Sequence, residues 1–321
     1  MRAMVVTEPG GPEVLQMQDV PDPVPGPDDV LIRVQAVGVN FADHLMRIGA
    51  YLRQEPPVIP GLEAAGVVEA VGTEVRGLSV GQRVLALGKR TYADLMVAPA
   101  WAVMPAPAGI GIEEAAAIPV AFTTAWHALV TCADLRPGER VLVHAAGSGV
   151  GSAAIQVAKE LGGRVIATAG QDWKLERARE LGAEATINYS TQDVAAVIQA
   201  LTDSHGVEVV LEGVGKATFA ASLKSLTDGG RMVVYGAPSG PRVELDTRPT
   251  IFRNLTIYGM AVTTSPRFAQ TVADFSKRAL AWFAEGRLRP VVDRSFPMVD
   301  AGSAHQRMMD RQQFGKLILV A

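Results

Sequence analysis

The residues best suited to chemistry lie between positions 141 and 151. An apolar, strand-like run at 141–145 leads into Ala146-Gly147-Ser148-Gly149-Val150-Gly151. A helical pattern follows, with Val150, Ala153, Ala154, Val157, Ala158 and Leu161 on one face. A glycine-rich turn lets the backbone approach a pyrophosphate, and the helix N-terminus then offers unpaired N–H groups and a partial positive charge. The spacing is Gly-x-Gly-x-Gly, because Ser152 stands where the stricter Gly-x-Gly-x-x-Gly pattern has its last glycine. Alone, such a turn is also an ordinary strand-to-helix connection. As the first turn in a series of alternating strands and helices, it reads as a dinucleotide cradle.

The next strand bears on which dinucleotide. An NAD site usually places Asp or Glu at the end of the second strand, about 20 residues on, to hold the ribose 2′-OH. Here that strand ends Thr168-Ala169-Gly170, and Lys174 follows at the mouth of the crevice. This favours NADPH, although a single lysine can also be a solvated surface charge. Asp172 is the counter-evidence: it either reaches a ribose or caps the next helix.

Other chemistry-bearing residues are sparse. There is one cysteine, Cys132, so an intrachain disulfide and a four-cysteine zinc lobe are excluded. The histidines, His44, His127, His144, His205 and His305, are scattered. His144 reads as a hydrogen-bonded interior residue. Glu63 reads as a strand-start carboxylate paired with a nearby base, not as a metal ligand.

The elements that must position these residues fall into two patterns. The 321 residues suggest two domains at about 150 residues each. Hydrophobic residues are 48% and charged residues 20%, as in a folded soluble protein with a large core. The formal net charge of −3 gives no support for nucleic-acid binding or a polybasic membrane anchor. Residues 1–20 lack a signal-peptide pattern, and the longest apolar stretch, 115–122, is short of the ~20 residues of a membrane span. A cytoplasmic protein is expected.

Up to about residue 120, short strand-like runs at 3–6, 30–39, 64–71, 83–87 and 95–98 are separated by turn residues such as Val24-Pro25-Gly26-Pro27-Asp28-Asp29. One short helix is expected at 41–48. From 140 the pattern alternates: strands at 141–145, 164–169, 185–189, 207–211, 231–235 and 255–260, with helices at 149–161, 173–181, 193–201 and 217–226. This is the signature of an α/β doubly wound parallel sheet. After Pro266 come a long helix to about 286, a strand at 291–296, a helix at 301–312 and a last strand at 316–320. That tail has too little core to stand alone.

The run 141–169, Lys174, Gly182-Ala183 and Asn188-Tyr189 resemble the zinc-free, zeta-crystallin-like quinone oxidoreductases of the medium-chain dehydrogenase/reductase superfamily. So do Ala36-Val37-Gly38-Val39-Asn40-Phe41-Ala42-Asp43 and Pro60-Gly61-Leu62-Glu63-Ala64-Ala65-Gly66-Val67-Val68. The resemblance covers essentially the whole chain. It implies a GroES-like, mostly β catalytic domain from 1–121 and 265–321, and a Rossmann NADP(H)-binding domain from 122–264. It places the active site in the cleft between them. Zinc-dependent relatives carry cysteine where Asn40 stands and histidine where Leu62 stands, so no catalytic zinc is expected.

Position by position, the resemblance puts Asn40 and Tyr51 in the quinone pocket and Thr124 near the nicotinamide. It puts Ala146, Gly147, Ser148, Gly149, Val150, Gly151 and Gly170 around the cofactor, with Lys174, Tyr189 and Arg311 on its 2′-phosphate. One departure is Leu45, where some quinone reductases have a second tyrosine. The implied activity is hydride transfer from NADPH to a quinone or conjugated carbonyl. The alternatives are a 2-alkenal or enoyl reductase on the same scaffold, and an NADPH-binding sensor or interaction protein with little turnover. A homodimer is expected through pairing of the edge strand at 255–260.

Overall fold

In the computed structural model, which describes residues 1–51 and 55–321, the chain opens with an antiparallel pair, β1 (Arg2–Val6) and β2 (Leu15–Asp19). Strand β3 (Asp29–Gly38) alternates buried Val30, Ile32 and Val34 with more exposed Leu31, Arg33 and Gln35. That period of two puts one face in a core and the other toward solvent. Helix α1 (Phe41–Arg47) follows at once. Then come β4 (Glu63–Val71), β5 (Arg83–Leu87), β6 (Leu95–Pro99) and β7 (Val103–Pro105), with antiparallel pairing throughout. Helices α2 (Ile112–Ala116) and α3 (Pro119–Trp126) lead on, and α3 widens into a π-helical turn at His127–Cys132.

The alternating part contains β8 (Arg140–Val143), α4 (Gly149–Glu160), β9 (Arg164–Ala169), α5 (Asp172–Glu180), β10 (Ala185–Asn188) and α6 (Val194–Leu201). It continues through β11 (Val207–Glu212), α7 (Phe219–Ser225), β12 (Leu226–Val234), α8 (Thr247–Phe252) and β13 (Thr256–Gly259). The strand order is β10-β9-β8-β11-β12-β13, all parallel. The order reverses between β8 and β11, and ligands of such sheets bind beyond the carboxyl ends of the strands at that switch point. Strand β13 is an edge.

Beyond it lie α9 (Phe268–Arg278), α10 (Ala281–Ala284), β14 (Val292–Pro297), α11 (Ala301–Met309) and β15 (Lys316–Val320). Strand β15 is almost wholly buried and pairs antiparallel with β3 and parallel with β14. The chain thus divides into two units, Met1–Ala121 with Val272–Ala321, and Phe122–Thr271. Val34, Val68, Met96, Leu317 and Leu319 share the core of the first, and Leu142, Ile166, Ile187, Val210 and Met232 that of the second.

The structure corrects three local expectations. The first parallel strand stops at Val143, because Ala145 turns to φ +53° to enter the glycine turn. The single long helix after Pro266 is two helices: Ala279 and Leu280 both donate to the Phe275 carbonyl, which closes the first. Asp172 is the first residue of α5, and Gln171 is its N-cap. No helix among the described residues is long and apolar enough to cross a membrane.

Candidate active site

The glycine turn closes on itself tightly. Ser148 N–H donates to the Ala145 carbonyl (2.8 Å), and Ser148 Oγ caps α4 by accepting from Gly151 N–H (2.9 Å). A side chain at Gly151 would put its β-carbon 2.2 Å from the Ala145 oxygen, so only glycine fits. Among the described residues, no acceptor meets the N–H groups of Gly147, Gly149 or Val150. These donors at a helix N-terminus suit an anionic ligand such as a pyrophosphate.

At the end of β9 the backbone again lies bare. A β-carbon on Gly170 would sit 2.9 Å from the ring and hydroxyl of Tyr189, which is 42% exposed. Ser190 Oγ donates to the Gly170 carbonyl (3.1 Å). Asp172 is held by Asn188, whose amide donates to it at 2.6 Å. The Lys174 ammonium lies 5.2 Å from the centre of the Trp173 ring, near enough for a cation–π contact. The structure therefore places Gly170, Lys174 and Tyr189 within the parallel-sheet unit and Arg311 in the other, just after α11 in the left-handed region (φ +55°).

Beneath the turn runs a directed chain of hydrogen bonds. Glu212, at the end of β11, accepts from Val214 and Gly215 N–H, from Thr218 Oγ1 and, at 2.5 Å, from Ser222 Oγ. Having given its hydrogen to Glu212, Ser222 can only accept from His144 Nε2 (3.0 Å). His144 Nδ1 must then accept from Thr168 Oγ1 (2.9 Å). Burial lowers the His144 pKa, against the opposing charge of Glu212, so the ring stays neutral. All five side chains are buried, and they tie the ends of β8, β9 and β11 to α7. The sequence marks His144 as interior, but Glu212, which organises the β11–α7 loop, carries no motif that singles it out.

In the first unit, Asn40 is the N-cap residue of α1 and sits in a fully specified cluster. Its amide donates to Gly38 O (3.0 Å) and Glu63 Oε1 (2.8 Å), and its oxygen accepts from Lys316 Nζ (2.8 Å). Lys316 also bonds Glu63 Oε1 (2.7 Å) and the Val39 carbonyl (2.7 Å), while Val120 N–H donates to Glu63 Oε2 (2.7 Å). Leu62 beside it is buried. Lys316 escaped sequence reasoning: nothing near Glu63 in the chain points to a base on the last strand.

Next to this cluster, Asp43 Oδ2 accepts from Asn40 N–H (2.8 Å) and Tyr92 Oη (3.2 Å), and Tyr92 Oη also meets His305 Nε2 (3.0 Å). Asp43 Oδ1 has no hydrogen-bond partner among the described residues. Burial lifts the Asp43 pKa to about 7, and burial, with Arg47 and His44 adding to it, pushes His305 down to about 3. Tyr51 is half-buried, next to the undescribed residues 52–54. Thr124, in α3, is 7% exposed, and its hydroxyl bonds no described residue.

Comparison with known proteins settles the family. The alcohol dehydrogenase GroES-like domain matches residues 26–108, and the domain described as zinc-binding dehydrogenase matches 149–278. The chain is 34% identical to quinone oxidoreductase of Lama guanicoe over 100% of itself and 97% of that protein. The chain belongs to the medium-chain dehydrogenase/reductase superfamily, within its quinone oxidoreductase family.

This oxidoreductase chain is equally 34% identical to 2-haloacrylate reductase of Burkholderia sp., over 99% of itself and 98% of that protein. Its fold matches Escherichia coli quinone oxidoreductase complexed with NADPH at a TM-score of 0.93, with 29% identity and full coverage of both chains. It spans 14% of the length of a phenolphthiocerol/phthiocerol polyketide synthase chain of Mycobacterium tuberculosis, which it matches at 34% identity over 98% of itself.

The donor set near Asn40 is a poor one for zinc. Leu62 has no donor atom, the Asn40 amide is engaged with Gly38, Glu63 and Lys316, both Glu63 oxygens are engaged, and the Lys316 ammonium already occupies the carboxylate. No group of three or more His, Cys, Asp or Glu among the described residues is arranged to hold a metal ion.

Proposed function

We propose that this oxidoreductase uses NADPH to reduce a quinone, or the conjugated double bond of an enone, without zinc. The observation that carries the reading is the glycine cradle, with amides at Gly147, Gly149 and Val150 that meet no acceptor among the described residues and no carboxylate at the end of β9. The close approaches at Gly151 and Gly170 fit a dinucleotide lying against bare backbone. Asp172, the residue able to select NADH by its ribose, is already bonded to Asn188.

NADPH, when bound, supplies the hydride. The protein's work is to bind, orient and exclude water. Residues 146–151 hold the pyrophosphate through backbone N–H groups. Lys174, Tyr189 and Arg311 hold the 2′-phosphate, where charge-assisted bonds discriminate against NADH. Thr124 offers its unpaired hydroxyl to the nicotinamide end, and Tyr51 offers its hydroxyl to the acceptor as negative charge develops there. The reduced acceptor takes its proton from solvent. The chain acts as a homodimer: the β13 edge carries Tyr258 at 40% exposure, and Ile251 and Phe252 beside it are 64% and 81% exposed.

The likeness to a 2-haloacrylate reductase favours a second reading, reduction of an activated alkene, and Leu45 is compatible with a more apolar pocket. NADPH oxidation on a panel of quinones, enones and 2-haloacrylates separates the two, and adding a chelator tests zinc. Quinone turnover unaffected by the chelator is the expected result. Turnover only of alkenes, or activity lost to the chelator and restored by zinc, contradicts it.

A further inference from the structure

Glu212 is a fully buried carboxylate without a cation. Its partners are the N–H groups of Val214 and Gly215 and the hydroxyls of Thr218 and Ser222, all of them neutral. Among the described residues no lysine or arginine forms an ion pair with it. His144, linked to it through Ser222, is held neutral by burial and cancels nothing. The charge is felt beyond these hydrogen bonds. The Tyr235 phenol, whose hydroxyl has no hydrogen-bond partner among the described residues, is pushed up by burial and then by Glu212. An interior charge that no cation balances is costly.

The sheet topology places this charge. The glycine cradle follows β8, and the adenosine ribose of a dinucleotide belongs at the end of β9. A dinucleotide laid across the switch point therefore carries its second nucleotide on the β11 side. Glu212 is the last residue of β11. Being buried, it acts there through its field and not by contact.

We propose that Glu212 is the fixed counter-charge to the oxidised nicotinamide ring. This rests on the NADPH reading above. Loss of a hydride leaves the neutral dihydronicotinamide ring with one positive charge; the acceptor gains the hydride and takes a proton from solvent. A buried anion stabilises only the charged member of the cofactor pair, so the hydride leaves more readily and its return is opposed. At an effective dielectric constant of about 20, unit charges even about 10 Å apart shift such an equilibrium by about tenfold.

The test is the ratio of two dissociation constants, Kd for NADP⁺ over Kd for NADPH, titrated on the same protein without an acceptor. Damage common to both forms cancels in the ratio. Glu212→Gln removes the charge and can keep every donor paired. With its oxygen toward Val214 and Gly215, its NH₂ donates to Ser222, Ser222 donates to His144 Nε2, and His144 Nδ1–H donates to Thr168. This variant should raise the ratio about tenfold. Glu212→Asp keeps the charge and should leave the ratio within about twofold, whatever it does to the two constants separately. An unchanged ratio in Glu212→Gln, or the same rise in Glu212→Asp, overturns the proposal. If Glu212→Gln does not fold, the wild type decides. Its ratio should lie near one, because a cation taken out of water without an anion binds far more weakly than its neutral form. NADPH bound more than about tenfold tighter than NADP⁺ by the wild type contradicts the proposal. A wild type that binds neither form refutes the NADPH reading, and the proposal falls with it.

Discussion

Lys316 on the last strand places its ammonium 2.7 Å from Glu63 Oε1 at the start of β4, with both side chains out of solvent. Breaking such a pair costs far more than its net contribution, because the survivor is a bare buried charge. Lys316→Met should lower the unfolding free energy by about 3–5 kcal/mol. Lys316→Met/Glu63→Gln should recover most of that. Denaturant unfolding of the three proteins checks it, and a double variant no more stable than the single one contradicts it.

Asp43 gives a pH dependence of defined sign. Burial lifts its folded pKa to about 7, above the ~3.9 of an unfolded aspartate. The stability it contributes is fully present below about pH 4 and is lost as pH rises through about 7. Tyr92, Lys316 and Glu63 face it: Lys316 and the Tyr92 hydroxyl favour its charged form, and Glu63 opposes it. His305, pushed down to about 3, runs the other way, since its contribution is lost as pH falls below about 6.5. A difference measurement separates the two. The Tm of Asp43→Asn relative to wild type should rise by a few degrees between pH 5 and pH 8, and a constant offset would show that Asp43 does not titrate there.

Two glycines should fail in different ways. At Gly151 the obstacle is the Ala145 carbonyl, which cannot move without the strand, so Gly151→Ala should cost about 1–3 kcal/mol of stability. At Gly170 the obstacle is the Tyr189 ring, which is partly exposed and can swing aside. Gly170→Ala should keep its Tm within a degree or two and raise the KM for NADPH. Thermal melts and cofactor titrations distinguish the two, and equal destabilisation would contradict the assignment.

The contrast explains what the sequence made legible. The parallel sheet was readable because buried strands alternate with helices of period 3.6, and the glycine turn because its backbone needs leave few residue choices. Helix α2 and strand β7 were not readable, being too short to show a period. Asn40 was visible, but its amide orientation was not: it depends on Lys316, which only the pairing of β15 with β3 brings near. Glu212 was missed for the same reason, since its partners Thr218 and Ser222 define it only once α7 is folded.

The exposed edge at β13 predicts association. Phe252→Glu and Ile251→Asp should shift the chain toward monomer in sedimentation at micromolar concentration, with little loss of fold, because both side chains face solvent in the single chain. A wild type that sediments only as monomer rejects the dimer.

The most direct test compares kcat/KM for NADPH and NADH with a quinone acceptor in wild type, Lys174→Ala and Arg311→Ala. A charge-assisted bond to phosphate contributes about 1.5–3 kcal/mol, so each variant should lose about tenfold or more with NADPH. NADH lacks the phosphate and should change little, and kcat at saturating NADPH should hold because the phosphate is remote from the hydride. The account predicts a wild type that prefers NADPH and variants that lose only that preference. A wild type that prefers NADH, or variants that weaken both cofactors equally, would contradict it.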